Sequence, residues 1–201
     1  MRLMLAHAAM ALYVVVRLYD MQGVPNDTLL AARGTAVRIL KDANIDLRWR
    51  DCAPCNRPAG PVELMVRVAS ASASADPASL GFSYVDLDRK VGTLATVFAD
   101  RVHSLAALSH ADEGELLGRA MAHEIGHLLL GTHDHTRAGL MRGKWTSIEL
   151  AQNRRVDWIL SNDDSAHLRQ ALMRRILGVR EAPLMRARDD DGLRLERDQR
   201  P

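Results

Sequence analysis

The constraint that weighs most on this chain is His123-Glu124-Ile125-Gly126-His127, set in a long helical, largely apolar stretch over residues 113–130. An α-helix turns about 100° per residue, so residues four apart lie on one face, about 40° from each other. Two imidazoles at that spacing can grip one zinc ion. Glu124, beside the first of them, stands where it can take a proton from water on that metal. A chance match would account for these five residues but not for their surroundings. Gly131 can stop the helix, His133, Asp134 and His135 are further ligands, and Gly139-Leu140-Met141 forms a turn shortly after.

The rest of the chain supplies a sheet for this helix to pack under. Residues 13–19 (Tyr13-Val14-Val15-Val16-Arg17-Leu18-Tyr19) are β-branched and aromatic, which predicts a buried strand. Asn26 or Asp27 can cap a helix running to about Ala43. Ile45, Leu47 and Trp49 alternate with polar residues, as do Val62, Leu64, Val66 and Val68, predicting two more strands. Strand, helix, strand in that order predicts a crossover within a mixed sheet.

Residues 69–79, rich in Ala and Ser, read as a surface loop. Gly81 to Val85 and Gly92 to Phe98 read as a pair of strands about the polar turn 86–90, one of them a sheet edge near the metal. The metal helix carries Leu116, Leu117, Ala120, Met121, Ile125 and Leu128, with Asp112 or Ser109 near its start as caps, and this apolar surface marks it as central. Residues 147–160 and 165–177 read as two amphipathic helices.

With 201 residues, 47% hydrophobic and 26% charged, the chain has the composition of one soluble domain with its own core. A net charge of +2 with scattered arginines speaks against a nucleic-acid partner. Residues 1–11, with Arg2, an apolar run and Ala9-Met10-Ala11, read as a short signal segment, which implies a secreted or periplasmic home; a start assigned too far downstream would account for its brevity. The apolar run 3–16 falls short of the roughly 20 residues of a membrane span, so no stable membrane insertion is expected. Cys52 and Cys55 are half of a tetrahedral zinc site at most, and a local disulfide in an exported protein is the expectation. The domain is expected to occupy 12–179, followed by a charged, weakly apolar tail over 180–201 that reads as disordered.

Residues 122–145 resemble the metzincin zinc peptidases. More narrowly they are similar to a group of secreted metallopeptidases of soil bacteria. Those carry a like His-Glu-x-x-His-Leu-Leu-Leu-Gly run, then Ser-His-Ser, then Gly-Ile-Met-Arg and a Trp. The likeness extends loosely over residues 14–52, where strand, helix and a Trp-x-x-Cys follow in the same order. It implies an α+β metzincin-like fold: a mixed twisted sheet, a central zinc-binding helix and a small helical C-terminal part. It also implies His123 and His127 as zinc ligands, Glu124 as general base, and Met141 beneath the ligands without binding the ion.

The third ligand departs from the metzincin pattern, in which the helix-ending Gly follows the first His by seven residues and the third ligand by ten. Gly131 comes one residue later here. His133 keeps the distance from His123, Asp134 keeps the distance from the Gly, and His135 aligns with the His of the narrower group. His135 is the expected ligand, with His133 and Asp134 as alternatives. The implied activity is a zinc-dependent endopeptidase acting on peptides or proteins as a monomer. The rival is a non-catalytic binding module with a closed structural zinc site, against which Glu124 argues because such a site has no use for it.

Overall fold

A computed structural model describes residues 12–51 and 57–178 of the protein. The expected signal segment, the Cys52/Cys55 pair and the charged tail lie outside them. Eight of the named elements come first in the chain: β1 (Leu12–Asp20), α1 (Asn26–Asp42), β2 (Ile45–Asp51), β3 (Glu63–Ala69), β4 (Gly81–Asp86), β5 (Val91–Phe98), α2 (Ala99–Ser109) and α3 (Glu113–Leu130). The short α4 (Ser147–Gln152), a 3-10 turn at Arg155–Asp157 and α5 (Asn162–Leu177) complete it.

The five strands form one mixed sheet in the order β2-β1-β3-β5-β4. β2, β1, β3 and β5 run parallel and β4 runs antiparallel on the edge. Parallel neighbours cannot be joined by a hairpin, and α1 provides the crossover between β1 and β2. Alternation along β1 sends Val14, Val16 and Leu18 into the core beneath the helices. Arg17 emerges on the other side, where it is held in a buried ion pair with Glu63 at 2.6 Å.

α3 is the axis of the molecule. It packs on α1, on β4 and β5, and on α2 and α5. Its closeness to α1 depends on two glycines one turn apart. A Cβ on Gly114 would stand 2.6 Å from the Cβ of Ala31, and one on Gly118 would stand 2.7 Å from that of Thr35. Bare backbone here lets the two helices interdigitate with small residues on the α1 side. No helix among the described residues is long and apolar enough to cross a membrane.

Four expectations are corrected. α2 is a helix where none was anticipated, starting directly from the last residue of β5, so no polar cap precedes it. The single helix expected over 147–160 breaks at Asn153, which takes the left-handed conformation at φ 47° and ends α4. α5 begins three residues earlier than 165, because Ser161 and Asp164 form a capping box. At α1 neither Asn26 nor Asp27 is the cap; Pro25 precedes the helix and no side chain caps it.

Candidate metal centre

α3 brings its histidines together as the i, i+4 spacing requires, and buries them. His123 is 9% exposed and His127 4%. Each donates a hydrogen bond from Nδ1 to a backbone carbonyl, His123 to Leu140 and His127 to Thr132, both at 2.9 Å. Carbonyls accept only, so the proton of each neutral ring is fixed on Nδ1 and the lone pair of Nε2 is left facing inward.

The inward atoms converge with a third. His127 Nε2 lies 3.0 Å from His123 Nε2 and 3.3 Å from His135 Nε2. One ligand atom from each of the three residues falls within 4.8 Å of the others. The lone pairs of His123 and His127 Nε2, with no proton between them, repel, and a cation relieves that. Two tetrahedral ligands at the usual zinc–nitrogen distance stand about 3.3 Å apart, so spacing and donor type fit zinc.

Burial, with the nearby His135 adding to it, holds the pKa of His123 down at about 4 despite the Leu140 contact. Burial and the neighbouring His123 and His135 hold His127 at about 3. His135 is lowered too, chiefly by burial. All three rings are therefore neutral at pH 7, the form that binds metal.

His135 reaches the cluster because the chain after α3 doubles back. Gly131 ends α3 in the left-handed conformation, φ 70°, with its N–H on the His127 carbonyl at 2.9 Å. A side chain there would meet the backbone of Lys90, its Cβ 2.6 Å from that Cα. Further on, the Thr136 N–H donates to the Met141 carbonyl and that of Leu140 to the Ile159 carbonyl, both at 2.9 Å. Gly143 lies against the His135 ring, where a Cβ would approach Cγ to 3.1 Å.

The other two candidates stand apart. The His133 ring centre is 6.3 Å from that of His127, and the Asp134 carboxylate accepts from the Thr132 hydroxyl at 2.7 Å. Met141, 1% exposed, underlies the helix, its sulfur 2.6 Å from where a Cβ on Gly126 would be. Gly126 is thus required between the two helical histidines.

Glu124 is 6% exposed, and burial raises its pKa to about 7 against the opposing hydrogen bond from Ser83. That bond runs from Ser83 Oγ to Oε2 at 2.6 Å. Glu124 and the three clustered histidines line one cleft of about 340 Å³, together with His133, and Leu80, Leu105, Ala120 and Trp145 wall it. Trp145 stands edge-on to His123 at 5.8 Å and to Trp158 at 5.4 Å. Arg119 and Arg142 both stack on Trp158, at 4.1 and 5.1 Å, which ties the returning loop to the body of the molecule. Sequence reasoning missed Ser83, Gly81 and Gly143. The signal for the first two was the period of two in β4, which puts both small residues on one face.

These shifts set a pH dependence for the metal-free protein. His123 and His127 stay neutral in the fold, whereas the unfolded chain takes up protons below 6.5. Their contribution is fully present above pH 6.5 and is withdrawn as pH falls toward 4. Glu124 has the opposite sign: the fold holds a proton below pH 7 that the unfolded chain releases until 4.5. Two histidines outweigh one carboxyl, so a net loss of about 3 kcal/mol is expected between pH 7 and pH 4. Urea midpoints of the metal-free chain across that window measure it, and midpoints that hold level or climb would contradict it.

No protein-family model matches the sequence, and no curated protein is similar to it in sequence. Its fold is similar to solved structures. An archaemetzincin from Methanopyrus kandleri superposes with a TM-score of 0.55 at 14% identity, over 81% of this chain and 97% of that one. A zinc-dependent peptidase from Methanocorpusculum labreanum gives 0.52 at 16% identity, over 76% and 99%. Metalloproteinase-II from Bacteroides fragilis gives 0.50 at 13% identity, over 83% of this chain and 55% of that one. At such identities the likeness establishes the fold, a mixed α+β arrangement shared with zinc peptidases, and it lends no support to the narrower expectation of soil-bacterial relatives.

Proposed function

We propose that the protein is a zinc-dependent endopeptidase of the metzincin type, with His123, His127 and His135 holding the ion and Glu124 acting as general base. One observation carries this reading. A buried carboxylate opens onto the same cleft as three convergent, neutral imidazoles. Zinc bound there supplies a Lewis acid that acidifies water and polarises a carbonyl. Glu124 accepts the proton of the attacking water and returns it to the departing amine.

β4 supports a peptide as the substrate. Among the described residues it pairs with β5 along one side only and borders α3. The outer backbone groups beyond Gly81, whose own N–H and carbonyl meet the Ser79 hydroxyl, can therefore take an extended peptide by strand addition. The rival structural site calls for four closed ligands. Among the described residues the cluster has three, and Asp134 is engaged by Thr132. The test is casein digestion by purified protein of known zinc content. Hydrolysis is expected to cease with a chelator and return with zinc, and a zinc-loaded chain that leaves casein intact overturns the reading.

A further inference from the structure

We propose that Ser83 is a positioning residue for Glu124, an assignment that rests on the peptidase reading. Ser83 and Glu124 are 41 residues apart, yet the serine hydroxyl lies 2.6 Å from Glu124 Oε2 and 3.0 Å from the carbonyl oxygen of the same residue. A hydroxyl has one proton to give. The shorter contact is in the range of a hydroxyl donating to an ionised carboxylate, the stronger of the two choices. Ser83 is itself only 6% exposed, so the hydrogen bond is shielded from competing water.

The second oxygen is bounded differently. Gly81, two residues back and therefore on the same face of β4, presents bare backbone to it. A Cβ on Gly81 would stand 3.0 Å from Oε1 and 3.1 Å from Cγ. One face of β4 thus grips Oε2 with a donor and, through Gly81, presents no side chain to Oε1. A glutamate side chain has three rotatable bonds, and a base that must meet a proton at a defined place gains from having them fixed. The arrangement does this from a strand rather than a loop, and from the strand whose outer edge pairs with no other strand among the described residues. Peptide and base are then registered to one rigid element.

A plain satisfied serine would need only the carbonyl contact, and the kinetics separate the two cases. Ser83→Ala is expected to lower kcat on a peptide substrate about 10- to 100-fold, as loss of a supporting hydrogen bond typically does. KM and zinc per chain are expected to stay at wild-type values, and Ser83→Thr, which keeps the hydroxyl, to recover most of kcat. In a Glu124→Asp background the shorter carboxylate is drawn away from β4, so adding Ser83→Ala is expected to cost little more. A readout independent of turnover is the Tm of the zinc-free chain. There Ser83→Ala and Glu124→Ala are expected to lower Tm by less together than the sum of their separate effects. Unchanged kcat in Ser83→Ala, additive effects in both cycles, or loss of zinc on Ser83→Ala each overturns the assignment. A wild type that is inert when zinc-loaded overturns the peptidase reading, and this assignment with it. An active wild type beside a fully active Ser83→Ala overturns this assignment alone.

Discussion

Glu124→Gln is expected to keep zinc and fold while losing peptide hydrolysis by roughly 100- to 10,000-fold, the range associated with a general acid–base group. Glutamine is nearly isosteric with glutamate. Its amide oxygen can take the hydrogen bond that Ser83 Oγ gives to Oε2 at 2.6 Å, so the side chain keeps its place under β4. What it lacks is a site for the proton of the attacking water. The substitution also removes a buried titration. Above pH 7 the wild type carries a charge in a site where Glu124 is 6% exposed, and glutamine does not. The zinc-free variant is therefore expected to be at least as stable as wild type at pH 8, which excludes misfolding as the cause of lost activity. kcat/KM, zinc per chain and the alkaline Tm measured together decide the point. Turnover near the wild-type rate would remove Glu124 from the mechanism.

Most of the scaffold around that residue can be read from local patterns. β1 and β3 declare themselves by β-branched alternation, and Val14, Val16, Leu64, Val66 and Val68 are all fully buried. α3 declares itself by its apolar stripe and by Gly131, whose left-handed conformation ends it one residue later than the common pattern. α2 was not legible for a physical reason. It starts at Ala99 straight from β5 with no side-chain cap, and its buried residues are only Val102, Ala106 and Ser109. A helix that weakly patterned is held by its neighbours rather than by its own propensity. Asn153 was equally opaque. Asparagine tolerates the left-handed region, but its use as a stop depends on its side chain joining Glu115, 3.1 Å away, and Arg119.

The site divides along the same line. The spacing of His123 and His127 is a property of one helix, so it is legible from sequence. Ser83 meets Glu124 only because β4 lies beside α3; the period of two in β4 puts Ser83 on one face with Gly81, but which partner that face meets is a fact of tertiary packing. His135 falls between the two, since its ring reaches the cluster through a loop whose path is fixed by the Leu140–Ile159 and Thr136–Met141 hydrogen bonds.

That loop yields the second large effect. His135→Ala is expected to weaken zinc binding by more than the 10- to 100-fold typical of changes outside the ligand shell, and to abolish hydrolysis with it. His135 Nε2 lies 3.3 Å from His127 Nε2 with the two rings nearly perpendicular, at 89°. Its ring is close to parallel with that of His123, at 21° and 5.3 Å. Removing it leaves two imidazoles on one helix face, and two ligands hold zinc far less firmly than three. His133→Ala takes away a ring 6.3 Å from that of His127 and is expected to leave zinc in place. Asp134→Ala breaks the 2.7 Å contact with the Thr132 hydroxyl. Because the Thr132 carbonyl orients His127 at 2.9 Å, a small loss of affinity is expected there, well short of that at His135. Gly143→Ala gives an independent check, since its Cβ would press on the His135 ring at 3.1 Å and is expected to weaken zinc without removing any donor atom. Zinc retained after dialysis against graded chelator ranks the four variants. If His135→Ala keeps its zinc while His133→Ala releases it, the ligand is His133, at its usual distance from His123, and the convergence of the three Nε2 atoms is not the metal site.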